Sequence, residues 1–186
     1  LLSRRQRQMC IRDRYCKSGE TRLRISARAQ SEAEAAEMIA SLEARVRETE
    51  VGEHIYFASD GIENGAYESC AYAGFRTLAD SGRTVAFAES ITGGLCAKML
   101  SDIPGASAVL RGSAVTYATD TKTSILGVDT ETVEKYGVVS EQTAAEMARG
   151  ARERFGSDIA VSTTGIADSS PYGDGRGIEP GTACIG

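Results

Sequence analysis

The sequence predicts an α/β protein in which helices cover a largely buried sheet. Short apolar runs bounded by turn residues, such as residues 84–88 and 158–163, are typical of buried strands. Helix-like patterns alternate with these runs, and the pattern at residues 140–156 begins with a capping serine and ends at a glycine. This alternation of strand and helix is the arrangement that a layered, mainly parallel sheet requires.

Length and composition narrow the class of protein. The 186 residues allow one or two domains with a real core. No run of eighteen apolar residues occurs, and residues 1–5 lead into a basic segment instead of a signal peptide. We therefore expect a cytoplasmic protein with no membrane partner. The cysteines are odd in number, dispersed and without a C-x-x-C pair, which favours free thiols over disulfides or a zinc site.

Charge is concentrated at the N-terminus. Residues 1–28 hold nine lysines and arginines against two acids, a net charge of +7, and the remainder carries −12. Residues 4–14 show no periodicity and the chain does not begin with Met, so we expect residues 1–19 to be a basic leader that is disordered or non-native. The alternative, contact with nucleic acid or an anionic surface, is the less favoured one.

Residues 20–58 predict a partial α+β unit. Apolar and polar residues alternate over 21–29, as in a half-buried strand. Ser31 and Glu34 form a capping box that begins a helix, and Gly52 is expected to end it. Residues 54–57 predict a second short strand.

Residues 62–186 predict a second domain, which we expect to be truncated at its C-terminus, after a boundary at residues 59–61. Its expected helices are 64–80, 92–101, 119–126, 130–136 and 140–156, and its expected strands are 84–88, 108–118 and 158–163. A long polar loop over 164–179 and the start of a strand at 181–186 follow.

The stretch at residues 84–100 is where we expect chemistry. An apolar run ends at Glu89 and Ser90, and Gly93 and Gly94 then lead into a helix. Such a turn brings backbone N–H groups close to an anion. The alternative is a connecting turn in which a hydroxyl serves only as a helix cap.

The rest of the chain limits how Ser90 could be activated. The one histidine, His54, lies in the N-terminal unit, which argues against a Ser–His–acid triad and against a multi-histidine metal site. A lysine can replace histidine as the base when its pKa is depressed. Of the four lysines, Lys122 follows a strand through a polar turn, and parallel strands would bring that turn to the same sheet edge as Ser90. Lys122 is therefore the candidate base, although an isolated lysine after a strand is usually a surface charge.

A set of motifs links this chain to a known family. The motifs, in chain order, are AESITGG (residues 88–94), IPGAS (103–107), RG (111–112), VTY (115–117), Lys122, LGV (126–128), GVVS (137–140) and TGIA (164–167). Over residues 62–186 the chain resembles the C-terminal domain of competence/damage-inducible protein CinA, which also occurs alone as nicotinamide-nucleotide amidase. The resemblance implies a layered α/β/α domain. Residues 20–57 resemble the end of the family's N-terminal region.

The resemblance also implies an activity. Such proteins resemble Ser–Lys amidohydrolases that convert nicotinamide mononucleotide to nicotinic acid mononucleotide and ammonia, without a cofactor or metal. The resemblance implies that Ser90 is the nucleophile and Lys122 the base, and that Tyr117 relays the proton or orients the lysine. The expected substrate contacts are Glu89, Thr92, Gly93, Gly94, Thr164 and Gly165.

Some points stay open at the level of sequence. The turn at Thr92–Gly94 is expected to receive either the oxyanion or the substrate phosphate. Asp168 and Ser169 stand where the family typically has Gly-Pro, and Ile91 stands where it usually has Cys. The expected partner is a small nucleotide, nucleic acid is not expected, and a homo-oligomer is allowed. The alternative to an amidase is a nucleotide-binding or interaction module without turnover, inactive because truncated.

Overall fold

The computed structural model describes residues 9–17, 20–56, 58, 69–167 and 176–186. The chain divides into two compact units, Leu1–Cys70 and Ala71–Gly186. The predicted boundary at residues 59–61 lies outside the described residues. So do Asp168 and Ser169, which stand where the family typically has Gly-Pro. In the described part of the chain, no helix combines the length and apolar character that crossing a membrane requires.

The first unit is built from a hairpin and one helix. Strand β1 (Met9–Lys17) pairs antiparallel with β2 (Glu20–Arg28), and α1 (Glu32–Arg47) contacts β2. The Ser31 hydroxyl accepts the N–H of Glu34 at 3.2 Å, and a Glu34 oxygen accepts the N–H of Gln30 at 3.1 Å. The Ser31 hydroxyl thus makes the predicted N-cap, and the Glu34 carboxylate reaches back to the residue before the N-cap.

The first unit departs from the sequence predictions in three places. Strand β1 lies inside the segment expected to be an irregular leader, because its residues pair along their length with β2. The predicted strand at 54–57 is wrong where it is described. His54 ends a 3-10 helix, Glu50–His54, and Ile55 and Tyr56 have no regular structure. The helix α1 also ends before Gly52, at Arg47.

The second unit is a four-stranded sheet covered by helices. Its helices are α2 (Cys70–Ser81), α3 (Leu95–Ser101), α4 (Thr119–Leu126), α5 (Thr130–Tyr136) and α6 (Glu141–Phe155). Its strands are β3 (Val85–Glu89), β4 (Leu110–Val115), β5 (Ile159–Gly165) and β6 (Ala183–Ile185). The strand order is β4-β3-β5-β6, with β3 parallel to β4 and β5, and β6 antiparallel to β5.

The sheet has an apolar cluster on each face, which confirms the α/β architecture with helices on both sides. One cluster joins β3 to α4 and α6 through Ala88, Leu126, Val128, Met147 and Ala151. The other joins β3 to α2 and α3 through Val85, Leu100, Ile103 and Val109, with Phe75 and Leu78 packed against it. Strand β3 lies in the middle and is buried from both sides, as its continuous apolar run predicts.

The parallel register aligns the carboxyl ends of three strands. Glu89 at the end of β3 is paired with Val115 of β4 and with Thr163 of β5. The next residues, Ser90, Thr116 and Thr164, therefore lie side by side at one edge of the sheet. The turn after β3 has positive φ at Gly93 (60°) and Gly94 (102°), so helix α3 begins at Leu95 and not at the predicted residue 92.

Candidate active site

Ser90 and Lys122, which the sequence predicted as nucleophile and base, meet at this sheet edge. The Lys122 Nζ lies 3.1 Å from the Ser90 Oγ, within hydrogen-bond distance. Ser90 follows β3, and Lys122 lies in the first turn of α4, which begins shortly after β4 ends. The parallel pairing of β3 and β4 thus brings together two residues that are 32 positions apart.

The Lys122 amine is buried among neutral groups. The residue is 2% exposed, and its Nζ also donates to the carbonyl oxygens of Thr116 at 2.7 Å and Tyr117 at 3.4 Å. No carboxylate pairs with it in the described part of the chain. Burial lowers the pKa of Lys122 from its ordinary value, because the charged ammonium loses hydration without gaining a counter-ion. A lysine in this setting is suited to accept a proton from a hydroxyl.

The main chain fixes Ser90 between its neighbouring strands. Its N–H donates to the carbonyl oxygen of Thr163 at 2.9 Å, and the carbonyl oxygen of the preceding Glu89 accepts the N–H of Thr116 at 2.8 Å. The Ser90 carbonyl accepts the N–H of Gly93 at 3.1 Å, which closes the turn. The serine is 8% exposed and therefore buried.

Glu89 does not occupy the position expected of a substrate contact. The residue is 0% exposed and both carboxylate oxygens accept hydrogen bonds from the protein. Those donors lie in the turn, in helix α3 and on β4. We therefore assign Glu89 an internal role in place of the predicted contact with substrate.

The glycine turn offers fewer free N–H groups than the sequence suggested. The N–H of Gly93 donates to the Ser90 carbonyl, and that of Gly94 donates to Glu89 at 3.0 Å. Among the described residues, no acceptor pairs with the N–H of Ile91 or Thr92. The Thr92 hydroxyl lies 2.7 Å from a Glu89 oxygen and 2.6 Å from the Thr163 hydroxyl, so it also has internal partners.

Tyr117 contributes to the site through its main chain. Its carbonyl oxygen contacts the Lys122 amine, whereas its side chain is 75% exposed. The phenol makes no hydrogen bond within the described residues. Val115, also at this end of β4, is 49% exposed, and a Cβ at Gly94 would lie 3.4 Å from its side chain. The predicted role of Tyr117 as a proton relay remains a prediction.

The second predicted contact region, Thr164 and Gly165, is well packed. Thr164 is 1% exposed and its hydroxyl donates to the carbonyl oxygen of Val138 at 2.7 Å. A Cβ at Gly165 would lie 2.6 Å from the Ile91 side chain and 2.6 Å from the Thr182 carbonyl oxygen. Both residues therefore shape the β5 side of the site, and the Thr164 hydroxyl already has a partner.

Thr116 is a site residue that the sequence analysis missed. It is 0% exposed, and its carbonyl oxygen makes the shorter of the two carbonyl contacts to Lys122. Its hydroxyl is the buried side-chain polar atom for which the described residues offer no hydrogen-bond partner. A threonine at the end of a strand carries no signal by itself, although its register position beside Ser90 could have identified it.

Among the described residues, no three His, Cys, Asp or Glu side chains lie close enough together to hold a metal ion.

Comparison with known proteins places this chain in a family. The model of the CinA C-terminal domain matches residues 68–186, and that of the damage-inducible protein CinA KH domain matches residues 14–56. A CinA-like protein from Frankia casuarinae is 45% identical over 156 residues, which cover 84% of this chain and 34% of the relative. A putative competence-damage inducible protein from Symbiobacterium thermophilum is 41% identical, covering 92% of this chain and 38% of the relative.

Solved structures give the same result. The competence/damage inducible protein CihA from Agrobacterium tumefaciens aligns with a TM-score of 0.56 and 42% identity, over 62% of this chain and 68% of that one. A CinA superfamily protein from Escherichia coli aligns with a TM-score of 0.60 and 28% identity, over 74% and 77%. The chain spans about a third of the length of the curated relatives it matches. With residues 68–186 matched by the family model, this chain belongs to the CinA C-terminal domain family.

Proposed function

We propose that this protein is an amidohydrolase that converts nicotinamide mononucleotide to nicotinic acid mononucleotide and ammonia. The observation that carries the proposal is the 3.1 Å contact between the Lys122 amine and the Ser90 hydroxyl, made by a lysine that is 2% exposed. The family includes nicotinamide-nucleotide amidases, which supports the choice of substrate. We further propose that the reaction takes place in the cytoplasm and uses the chain's own residues without a cofactor.

Acylation uses the neutral form of Lys122. The Ser90 Oγ attacks the carboxamide carbon, and its proton passes to the Lys122 Nζ. The resulting tetrahedral oxyanion collapses as the C–N bond breaks. The leaving amide nitrogen takes the proton from Lys122 and departs as ammonia. The nicotinoyl group then remains on Ser90 as an ester.

Deacylation repeats the proton transfers with water. Lys122 accepts a proton from the water that attacks the ester carbon, and the second tetrahedral intermediate forms. Its collapse breaks the bond to the Ser90 Oγ, which regains a proton from Lys122. The acid product leaves, and the neutral lysine and the free hydroxyl are restored.

The oxyanion needs donors, and two backbone groups support its stabilisation. The N–H groups of Ile91 and Thr92 follow the nucleophile directly and have no acceptor within the described residues. Paired N–H groups next to a nucleophile are a common means of stabilising such an oxygen. Their position directly after Ser90 favours the oxyanion over the phosphate as the group received by this turn.

The test is ammonia release from nicotinamide mononucleotide by the full-length protein. Both Ser90→Ala and Lys122→Met are expected to lower kcat by about 10⁴-fold or more, since the nucleophile and its base act as a unit. Nucleotide binding, measured by calorimetry with the Ser90→Ala protein, is expected to persist. Full activity in Ser90→Ala, or binding without turnover in the natural protein, would reject the amidase and leave a nucleotide-binding module.

A further inference from the structure

Glu89 is a buried carboxylate that the mechanism above does not use. No cation pairs with it in the described part of the chain, and no part of it is exposed to solvent. Neutral donors surround it instead. They are the N–H groups of Gly94 (3.0 Å), Cys96 (3.0 Å) and Ala97 (2.9 Å) and the hydroxyls of Thr92 (2.7 Å) and Ser113 (3.3 Å).

The carboxylate organises the turn that follows Ser90. The N–H groups of Gly94, Cys96 and Ala97 point at Glu89, while that of Leu95 donates to the Thr92 carbonyl oxygen at 3.0 Å. The N–H of Gly93 donates to the Ser90 carbonyl oxygen, so every backbone N–H from residue 93 to residue 97 has an acceptor. The unpaired N–H groups of this turn are therefore the two that directly follow Ser90. The protein's own carboxylate also occupies the position in which an anionic group of a ligand would sit.

Glu89 acts from the opposite side of the strand to Ser90. Successive side chains of a strand point to opposite faces, and here Ser90 contacts Lys122 of α4 while Glu89 contacts α3. The hydrogen-bond partners of Glu89 include neither Ser90 nor Lys122, and they hold the backbone of the turn that follows the serine.

Glu89 is held in its ionised form. Burial by itself disfavours the charged carboxylate, but hydrogen bonds from the Ala97 N–H, the Thr92 hydroxyl and two further N–H groups outweigh it. The pKa of Glu89 therefore lies below its ordinary value. A glutamine of the same shape lacks this charge and would direct an NH₂ group at some of the same N–H donors.

We propose that Glu89 is a positioning residue that holds the turn after Ser90 so that the N–H groups of Ile91 and Thr92 stay directed at the reaction's oxyanion. This inference rests on the proposed amidase function. It predicts that loss of Glu89 weakens stabilisation of the tetrahedral species while leaving binding of ground-state nucleotides intact. It also predicts that the substrate phosphate binds elsewhere than at the start of α3.

The first test is Glu89→Gln in the full-length protein. We expect kcat to fall by about 100-fold, as when one oxyanion donor is lost, and KM to change by less than about threefold. The aldehyde analogue of the substrate, which forms a tetrahedral adduct with Ser90, should bind about 100-fold more weakly. Affinity for the product, nicotinic acid mononucleotide, should be unchanged. A role in folding alone would weaken both ligands or neither.

A second variant pair covers the case in which Glu89→Gln does not fold. Thr92→Val removes one donor to the carboxylate but keeps the Thr92 N–H, and we expect it to lower kcat by about tenfold. Thr92→Ser, which restores the hydroxyl, should recover most of that loss. Asp102→Asn is the matched control, because this exposed carboxylate pairs with Lys98 at the far end of α3.

Three outcomes separate this inference from the proposed function. If the natural protein releases ammonia in a Ser90-dependent way and Glu89→Gln keeps full kcat, the positioning role is overturned and the amidase stands. Equal weakening of the aldehyde and the product would also overturn it. If the natural protein releases no ammonia but still binds the nucleotide, the amidase itself fails.

Discussion

The carbonyl oxygen of Thr116 lies 2.7 Å from the amine nitrogen of Lys122, so a neutral dipole holds this buried lysine where a carboxylate would have stabilised its charge. Burial lowers the pKa of Lys122, because the charged form loses hydration and no carboxylate among the described residues compensates for that loss. The neutral amine is the form that can accept the proton of Ser90. The pH at which activity appears therefore reports on the environment of this one side chain.

The first prediction concerns the pH dependence of catalysis. On the acid side of the lowered pKa of Lys122 the amine is protonated, so kcat/KM should fall about tenfold for each pH unit. Ammonia release measured from about pH 5 to about pH 10 tests this loss of activity in acid. Lys122→Arg should stay inactive throughout, because guanidinium keeps its proton. A parallel profile in Lys122→Arg would exclude Lys122 as the base.

The second prediction compares two buried threonines. Both Thr116 and Thr143 are 0% exposed, but only Thr143 uses its hydroxyl, which donates to the Gly137 carbonyl oxygen at 2.7 Å. Thr116→Val should therefore raise the free energy of unfolding by about 1 kcal/mol, since it removes an unpaired buried hydroxyl. Thr143→Val should lower it by about 1–2 kcal/mol. Denaturant titration measures both, and equal losses in the two variants would contradict the prediction.

The third prediction compares one substitution in two helices. A Cβ at Gly150 of α6 would lie 1.9 Å from the carbonyl oxygen of Leu126 in α4, whereas one at Gly74 of α2 meets nothing within 4 Å. Gly150→Ala should cost about 1–3 kcal/mol or more, because backbone must move. Gly74→Ala should add about 0.5–1 kcal/mol through helix propensity. Thermal unfolding of the two variants is the measurement, and a stabilised Gly150→Ala would show that α4 and α6 are not in close contact.

The fourth prediction concerns stability in acid. The hydroxyl and N–H of Thr84 both donate to Asp158, at 2.7 and 2.8 Å, and hold the pKa of this exposed carboxyl below its ordinary value. Its stabilising contribution is therefore complete above the unfolded pKa of about 3.9 and is lost as pH falls through the lower folded value. Asp158→Asn should lower Tm at neutral pH, and the difference in Tm between this variant and the natural protein should shrink towards about pH 3.

The control for this acid test is Asp102→Asn. Asp102 also accepts a close hydrogen bond, but from the exposed Lys98 on the next helical turn, a kind of pair that contributes little to stability. Its Tm should follow that of the natural protein across the pH range. A gap for Asp158→Asn that stays constant with pH would show that the carboxylate charge at Asp158 contributes nothing.

Much of the second unit could be predicted from sequence because local signals agreed with the fold. Helices α4 and α5 follow the predicted bounds, since each has a polar start and a glycine directly after its last residue. Parallel strands implied that the turn before Lys122 would lie at the same sheet edge as Ser90, and the family resemblance pointed to this lysine as the base. These features depend on chain order and periodicity, which a sequence displays.

The parts that failed depend on contacts between distant segments. The arginine-rich β1 shows no apolar alternation, and what makes it a strand is its pairing with β2. Glu89 was among the expected substrate contacts. Its actual partners on α3 and β4 emerge only when the turn closes over it. The orphaned hydroxyl of Thr116 likewise has no sequence signature.

The position of Ser90 directly after the central strand has a consequence for the order of events during folding. Its N–H hydrogen-bonds to β5, and its hydroxyl contacts Lys122 of α4. The turn that follows it is also joined to β5, by a hydrogen bond between the hydroxyls of Thr92 and Thr163, which are 71 residues apart in the chain. Contacts between segments so far apart in the chain form slowly, because a large loop must close first. Reactivity of the serine should therefore be among the last native properties to return on refolding, later than helical circular dichroism.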